Sequence, residues 1–414
     1  DCVGHIIRTI TDSDPEATLL AIDGVGAFDH VKRARMLDAI ARLPAARGLL
    51  PYARMSYNRV SQYLWKDAEG TTHVIDQGEG GEQGDPLMPA YFSLALHSAL
   101  QRIQAHLLQD EWLFAYLDDI YVVSKPERTR VIFDQVRSAL HEHVGIDINL
   151  GKCRCWNSSG VEPVGIRELG NDVWRGNGFV QTDSQGIVVL GTPIGSSQFI
   201  HQFTQDRIEK EMVFLAKLVQ IPDVQCAWVL LLYCAASRCN HTLRTLPPDL
   251  SQDYAERHDI AMRRTLSEIL GRSDNNQTNE ILCALCTMKH SHGGLGLRSA
   301  RRTAPAAYWA SIADTIPEIQ KRYPRFAQRI VQWLNSSDSI PHSMTEAAEV
   351  RRHLINSGYH RCPGWQDIAA GIRPPPIHDV EPGEWAHGWQ FHAATHIEYH
   401  YRNRILYSMS PTEL

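Results

Sequence analysis

Phe114-Ala115-Tyr116-Leu117-Asp118-Asp119-Ile120-Tyr121-Val122-Val123 is the stretch on which the reading of this chain turns. Two acids stand side by side between two apolar runs rich in aromatic and β-branched residues, the pattern of two short strands joined at a tight turn. Adjacent carboxylates flanked by apolar side chains repel each other and lose hydration unless a cation is close. A plain surface Asp-Asp turn has the same local sequence, so the hairpin needs partners to mean more. The nearest partner is the apolar run that begins at Leu19 and ends on Asp23. If the two segments are neighbours in one sheet, Asp23, Asp118 and Asp119 gather at one end of it. Phosphoryl transfer by two divalent ions, held about 3.5–4 Å apart, needs such a set of hard oxygen ligands.

The rest of the composition is permissive. The 414 residues suggest two to three domains. Hydrophobic residues at 43% and charged residues at 21% are ordinary globular values, with material for more than one core. No apolar run reaches the roughly 18 residues of a membrane helix, and residues 224–236 read as a buried helix. The formal charge of −6 lacks the basic excess of many nucleic-acid binders, so any such binding rests on local charge. Nine irregularly spaced cysteines read as reduced thiols of an intracellular protein. No signal-peptide pattern precedes the first strand.

Along the chain, a short helix and a turn near Asp12 to Pro15 lead into the strand that ends at Asp23. Residues 32–42 read as a helix closed by Pro44, 78–84 as a glycine-rich loop, and 86–109 as a long amphipathic helix with Pro86 in its first turn. Two strands follow over 112–123, then a helix over 131–144 ended by Gly145, then strand-like runs at 146–149 and 186–190. That order is no βαβ repeat; it fits an α+β layer with helices on one face of a small antiparallel sheet. After Gly195 the pattern is helical, with periodic runs at 207–219 and 253–270 broken at Pro247-Pro248. Residues 301–414 form a third helical section with loops at 336–341 and 373–376. Cys283-x-x-Cys286 with His290 and His292 is a zinc-like spacing on an expected helix, and reads better as ordinary packing. Cys153-x-Cys155 reads as a strand edge. Trp309, Trp333 and Trp389 read as packing residues, and His5, His97 and His141 as surface or satisfied core positions.

Taken together, the segments resemble the reverse transcriptase family, in particular the enzymes of non-LTR retrotransposons. Ala21-Ile22-Asp23-Gly24-Val25-Gly26-Ala27-Phe28-Asp29-His30-Val31 is similar to its first palm motif and Glu82-Gln83-Gly84-Asp85-Pro86-Leu87-Met88-Pro89 to its second. Tyr116-Leu117-Asp118-Asp119 is similar to the third, Gly145 to Lys152 with Asn149-Leu150 to the fourth, and Leu190-Gly191 to the fifth, the primer-grip turn. The five occur in family order over about residues 1–200, and Gly293-Gly294-Leu295-Gly296-Leu297 extends the likeness weakly.

The resemblance implies a right-hand polymerase, with partial fingers and palm over 1–195, a helical thumb over 196–300 and a helical C-terminal region over 301–414. It implies RNA-directed DNA synthesis with two Mg²⁺ or Mn²⁺ ions on Asp23, Asp118 and Asp119. Gly24, Val25, Gly26 and Ala27 would line the incoming triphosphate, and Phe28 would lie under the sugar and exclude a 2′-hydroxyl. Gln83 and Gly84 would touch nucleotide and template, Lys152 the leaving pyrophosphate, and Leu190 and Gly191 the primer. Without the resemblance, Phe28 reads as core and Lys152 as a solvated lysine. Implied partners are an RNA template, a DNA primer and dNTP, with no membrane, in the nucleus. Arg207, Lys210, Lys217, Arg238 and Arg244 are the candidates to hold a duplex backbone. Met88 stands where the family usually has serine, Glu82 where it often has a basic residue, and Tyr116-Leu117 where these enzymes usually have Phe-Ala. Only 22 residues precede Asp23, so most of the fingers is expected to be missing and the chain alone to be nearly inactive. The competing readings are an inactive relic that only binds nucleic acid, which those missing fingers favour, and an RNA-templated RNA polymerase, against which Phe28 argues.

Overall fold

The computed structural model describes residues 1–176, 178–271, 280–336, 341–375 and 388–408. The chain forms two compact units, one of Asp14–Ile187 and one of Asp1–Ser13 with Val188–Leu414. Helix α1 (Cys2–Ser13) opens the chain and belongs to the second unit.

The first unit runs β1 (Thr18–Ile22), α2 (Ala27–His30), α3 (Arg33–Arg42), α4 (Leu50–Tyr57), β2 (Ser61–Lys66), β3 (Thr72–Gln77) and α5 (Met88–Gln104). It continues with β4 (Trp112–Tyr116), β5 (Asp119–Ser124), α6 (Pro126–Val144) and β6 (Arg154–Trp156). Four of these strands make one antiparallel sheet in the order β4-β5-β1-β6. Register pairs Leu20 with Val122 and Ile22 with Ile120. Because strand side chains alternate, Leu20, Ile22, Ile120 and Val122 share a face. They enter one core with Tyr91 and Phe92 of α5 and Ile132, Phe133 and Val136 of α6. The fold is the expected α+β arrangement, with helices packed on a small antiparallel sheet.

Local chemistry shifts several expected boundaries. Helix α5 starts at Met88 and not 86, because the Asp85 carboxylate accepts the Leu87 N–H at 2.8 Å and holds 85–87 as a turn. It stops at Gln104, short of 109. Helix α6 begins at Pro126, where a proline needs no amide partner, and ends on Gly145 at φ 78. Residues 146–149 make a single bridge, Gly24 to Ile148, not a strand. Hairpin β2–β3 has no counterpart in the sequence reading. Its residues are exposed on both faces, so neither alternation nor an apolar face announces it.

The second unit contains the tight hairpin of β7 (Gly186–Val189), which begins at the unit boundary, and β8 (Thr192–Gly195). Then come α7 (Ser197–Leu218), α8 (Val224–Leu230) with a π turn at Leu231–Ala235, α9 (Asn240–Thr245), α10 (Pro248–Ile269) and α11 (Glu280–Thr287). The rest is α12 (Ala300–Arg322), α13 (Pro324–Asn335), α14 (His342–Asn356), α15 (Trp365–Ala369) and α16 (Trp389–Ser408). The 224–236 stretch is corrected from a buried to a surface helix: Ala227, Leu231 and Ala235 are buried, while Val224 and Tyr233 are 50% and 70% exposed. Residues 337–340 and 376, in the two expected loops, lie outside the described residues.

Helix α12 organises this unit. Its small residues Ala300, Ala304 and Ala307 share a buried cluster with Ile208 of α7 and Tyr254 of α10. Farther along, the buried Trp309 ring meets Tyr359, Trp365 and Trp389. Helix α1 packs against α12 and α14, and its buried Arg8 donates to the Pro193 carbonyl at 2.5 Å. The boundaries between the units therefore fall at 13/14 and 187/188. Within the second unit, α12 supplies core to the helices on both sides of residue 300.

If that core is continuous, Trp309→Ala should lower the unfolding free energy by about 3–5 kcal/mol. Denaturant titration followed by hydrogen exchange should show 188–271 and 300–408 losing protection together. Protection lost in 300–408 alone would instead place a boundary at 300/301.

Candidate active site

The strand register builds the acidic site. Continuing the pairing of Ile22 with Ile120 by one residue sets Asp23 opposite Asp119. Asp118 sits with Leu117 in the two-residue turn between the paired Tyr116 and Asp119. Leu117 takes φ 55 there, a left-handed conformation that costs a non-glycine residue about 1–2 kcal/mol. Among the described residues only Leu190, at φ 47, shares that feature, and it lies in the turn of the β7–β8 hairpin beside Gly191 at φ 80. The two non-glycine strained positions are thus the turns of the third and fifth motifs, where sparsely populated backbone often marks function.

The Asp119 carboxyl is pushed above the usual carboxylate range, first by burial and then by the charges of Asp118 and Asp23, with Lys152 opposing. The three acids therefore act on one another. Asp23 keeps an oxygen, Oδ2, that is buried and makes no directed hydrogen bond. The Lys152 ammonium stands 3.2 Å from it as a bare charge contact and is itself two-thirds exposed. The three carboxylates do not gather as tightly as one shared ion requires, since their oxygens are not all within 4.8 Å of one another. A spread set of carboxylates with a buried oxygen lacking a directed partner suits hard divalent ions, and the residues fit the pair of metals that the resemblance implies.

The surrounding motifs hold this end of the sheet in place. The Val25 N–H donates to the Asp147 carbonyl at 2.8 Å, and the Asn149 N–H to the Asp23 carbonyl at 2.8 Å. This pairing carries Lys152 beside Asp23, and a side chain at Gly24 would meet Ile146 at 2.9 Å. It also commits the Val25 amide to this pairing. Gly26, at φ 47, caps the short α2. Phe28 is half-buried and stacks on Phe92 at 4.6 Å between centroids.

The glycine-rich loop lies directly on the first motif. Gly80 and Gly81 donate to the carbonyls of Val31 and Phe28 at 2.9 and 2.8 Å, and a side chain at Gly80 would lie 2.1 Å from the Asp29 carbonyl oxygen. Gln83 reaches Asp29 at 3.3 Å, while Gly84 is exposed at φ 103. Two supporting residues escaped the sequence reading. Buried Arg33 donates to the carbonyls of Gly80 and Arg59 at 2.8 and 2.7 Å, and Tyr57 donates to Asp85 at 2.5 Å. Arg33 gave no sequence signal, because a buried arginine looks like any helix-surface arginine until its acceptors are known.

In the second unit, Arg207, Lys210, Phe214 and Lys217 recur on α7 at helical spacing, with Lys210 and Lys217 exposed. The Arg238 guanidinium lies 5.1 Å from the Phe214 ring. Arg244 is removed from the expected set, since it pairs with Asp1 at 2.7 Å and Asp314 at 2.9 Å. The cysteine and histidine spacing at 283–292 does not form a group of ligand atoms within 4.8 Å; among the described residues that distinction belongs to Asp249, His342 and Glu346.

An antiparallel sheet with carboxylates at one end and a glycine loop laid across its first motif defines a polymerase-palm architecture, and residues 5–194 match the family model described as reverse transcriptase (RNA-dependent DNA polymerase). Over these residues the chain is similar to reverse transcriptase domains. Among solved structures, telomerase from Candida albicans with the TWJ fragment of telomeric RNA is similar at 13% identity and a TM-score of 0.39, over 81% of this chain and 53% of that one. Apo telomerase from Candida tropicalis gives 10% identity and a TM-score of 0.37, over 83% of this chain and 56% of that one. The chain spans about half the length of those structures. No curated protein is significantly similar in sequence.

The raised Asp119 carboxyl has a stability consequence. A group whose folded pKa lies above its unfolded value stabilises the fold below the unfolded pKa, and that contribution is lost as pH rises through the folded pKa. Without metal, Asp119→Asn should raise the melting temperature at pH 7, and the gain should vanish below about pH 4, near the unfolded aspartate value. Calorimetry in a chelator checks both. Equal melting temperatures at pH 7 would mean that Asp119 is not strained by its neighbours.

Proposed function

We propose that this chain is the catalytic segment of an RNA-directed DNA polymerase of non-LTR retrotransposon type, joining dNTPs to a primer 3′-hydroxyl on an RNA template. The observation that carries the reading is the register that sets Asp23 against Asp119 with Asp118 in the adjoining turn. The finer assignment within reverse transcriptases rests on the motif sequences themselves.

In this reading Asp23 and Asp118 would hold two Mg²⁺ or Mn²⁺ ions, with Asp119 completing the set. Bound ions would supply the positive charge that an in-line phosphoryl displacement requires. The protein's own part is positioning. Phe28, backed by Phe92, would form a floor for the sugar and exclude a 2′-hydroxyl. Gln83, tethered to Asp29, faces the nucleotide and template from the loop that Gly80 and Gly81 lock onto the first motif. Lys152 neutralises Asp23 when metal is absent, and its exposure lets it turn to the leaving pyrophosphate. The Leu190-Gly191 turn would admit the primer backbone, because Gly191 carries no side chain. The stripe on α7 would hold phosphates.

Primer extension on a primed RNA template, by the protein that contains this segment, tests the assignment. Asp118→Asn should reduce synthesis at least about 10³-fold, the effect of removing some 4 kcal/mol of transition-state stabilisation. Synthesis that survives this change would refute the metal assignment. Phe28→Ala should raise ribonucleotide incorporation strongly, while unchanged sugar selectivity would leave Phe28 as core alone.

The α7 stripe has a separate readout. Primer–template affinity should fall linearly with the logarithm of salt concentration, and Lys210→Ala with Lys217→Ala should flatten that slope by about 1.8, at about 0.9 for each phosphate no longer neutralised. Fluorescence anisotropy across a salt series measures it. A slope that does not change would remove α7 from the interface.

A further inference from the structure

The second unit carries a cluster that the polymerase reading leaves unused. Asp249 lies in the first turn of α10, and His342 and Glu346 stand one turn apart on α14. One ligand atom from each residue, an imidazole nitrogen and two carboxylate oxygens, lies within 4.8 Å of the other two. The His342 Nε2 is 3.0 Å from Asp249 Oδ2, so these two already pair. Glu346 is only half-exposed, and among the described residues no lysine or arginine pairs with it. A third carboxylate stands behind the group: Asp12 of α1 accepts the Ser343 N–H at 3.0 Å. Three acids thus converge on one histidine, from three helices of a single compact unit.

Ordinary helix chemistry explains part of this. Asp249 and Asp12 are well placed at the starts of α10 and α14, where negative charge is favourable. The same rule makes His342 anomalous, because a cationic imidazolium in the first turn of α14 opposes the helix dipole. The i, i+4 spacing of His342 and Glu346 aims both side chains to one side of α14, and that side holds Asp249. A mixed set of one imidazole nitrogen and two carboxylate oxygens is a donor set for a borderline first-row transition ion rather than for Mg²⁺ or Ca²⁺. Three protein ligands also leave the fourth tetrahedral position to water, the open arrangement of many zinc sites. Ligand atoms on a tetrahedral zinc ion stand about 3.4 Å apart, given bonds of about 2.0–2.2 Å. Side-chain rotation alone therefore closes the present spacing. Asp249 and His342 are both about half-exposed, so an ion has a route in.

We propose that Asp249, His342 and Glu346 form a zinc-class metal site that ties α10 to α14, with the His342–Asp249 ion pair as its metal-free state. The site lies in the second unit and does not depend on the polymerase assignment.

The test uses the full chain carrying Asp118→Asn and Asp119→Asn, so that the palm carboxylates do not contribute. After equilibration with Zn²⁺ and removal of loosely held metal, the zinc content per chain is measured, and a chromophoric chelator competition gives the affinity. One equivalent should be retained, and Glu346→Gln or His342→Ala should each weaken retention at least about tenfold. Replacement by Co²⁺ should give the visible bands of a tetrahedral site, and these should be lost in the same variants. Glu346→Gln keeps the side-chain shape, so it decides the question if His342→Ala fails to fold. Zinc held equally by the Glu346→Gln chain would place the ion elsewhere, for instance on the exposed Cys226 or Cys234, and overturn the proposal. No retention by the parent chain would overturn it too.

Discussion

The pairing of β1 with β5 is the interaction on which the first unit depends. Its apolar rungs, Leu20 with Val122 and Ile22 with Ile120, are buried and favourable. At one end of this pair Asp23 follows β1 and Asp119 opens β5, and the same pairing that buries the apolar rungs forces those charges together. The strain is visible in the raised Asp119 carboxyl and in the buried Asp23 oxygen without a directed donor. A one-residue slip would relieve the repulsion. It would also turn every apolar side chain of β1 to the opposite face. Core burial thus fixes an electrostatic arrangement that would not persist alone.

Absence of side chains does as much as presence in holding that arrangement. Gly80 approaches the Asp29 carbonyl so closely that no Cβ fits, and Gly81 meets Met88 as closely. The glycines let the backbone of the 78–84 loop hydrogen-bond to the residues that follow Asp23, and Arg33 completes the joint from below. Met88 departs from the serine usual in the family, and its side chain packs where Gly81 leaves space. The departure is therefore a packing solution and leaves the carboxylate end of the sheet untouched.

What the sequence revealed follows the same division between short-range and long-range physics. The strands that carry Asp23 and Asp119, the α+β class and helices such as α3 and α10 were legible, because each rests on a periodic apolar pattern or a motif contiguous in the chain. The β2–β3 hairpin was not, since both its faces meet solvent and leave no pattern. The α12 hub was hidden for the opposite reason. Buried nearly all round, it shows no amphipathic stripe to mark which neighbours it serves. Arg33 and the Asp249–His342–Glu346 cluster depend on residues dozens of positions apart, and no local rule could bring them together.

The net charge of −6 looks unfavourable for the proposed binding of nucleic acid, and the ion pairs of the fold explain why the total is a poor guide. Charges count according to what neutralises them. Arg244 faces two carboxylates and a glutamine, so it offers little to a phosphate. Lys210 and Lys217 stand exposed at a spacing of two helical turns, beside an aromatic ring already covered by a guanidinium. Many of the acids are similarly committed, Glu111 to Arg128 and Glu398 to Arg302, for example. Screening over about 8–10 Å at ordinary ionic strength means that a bound backbone senses the nearest stripe rather than the sum. An acidic chain can therefore present a cationic surface, provided its acids are paired within the fold and a few lysines are not.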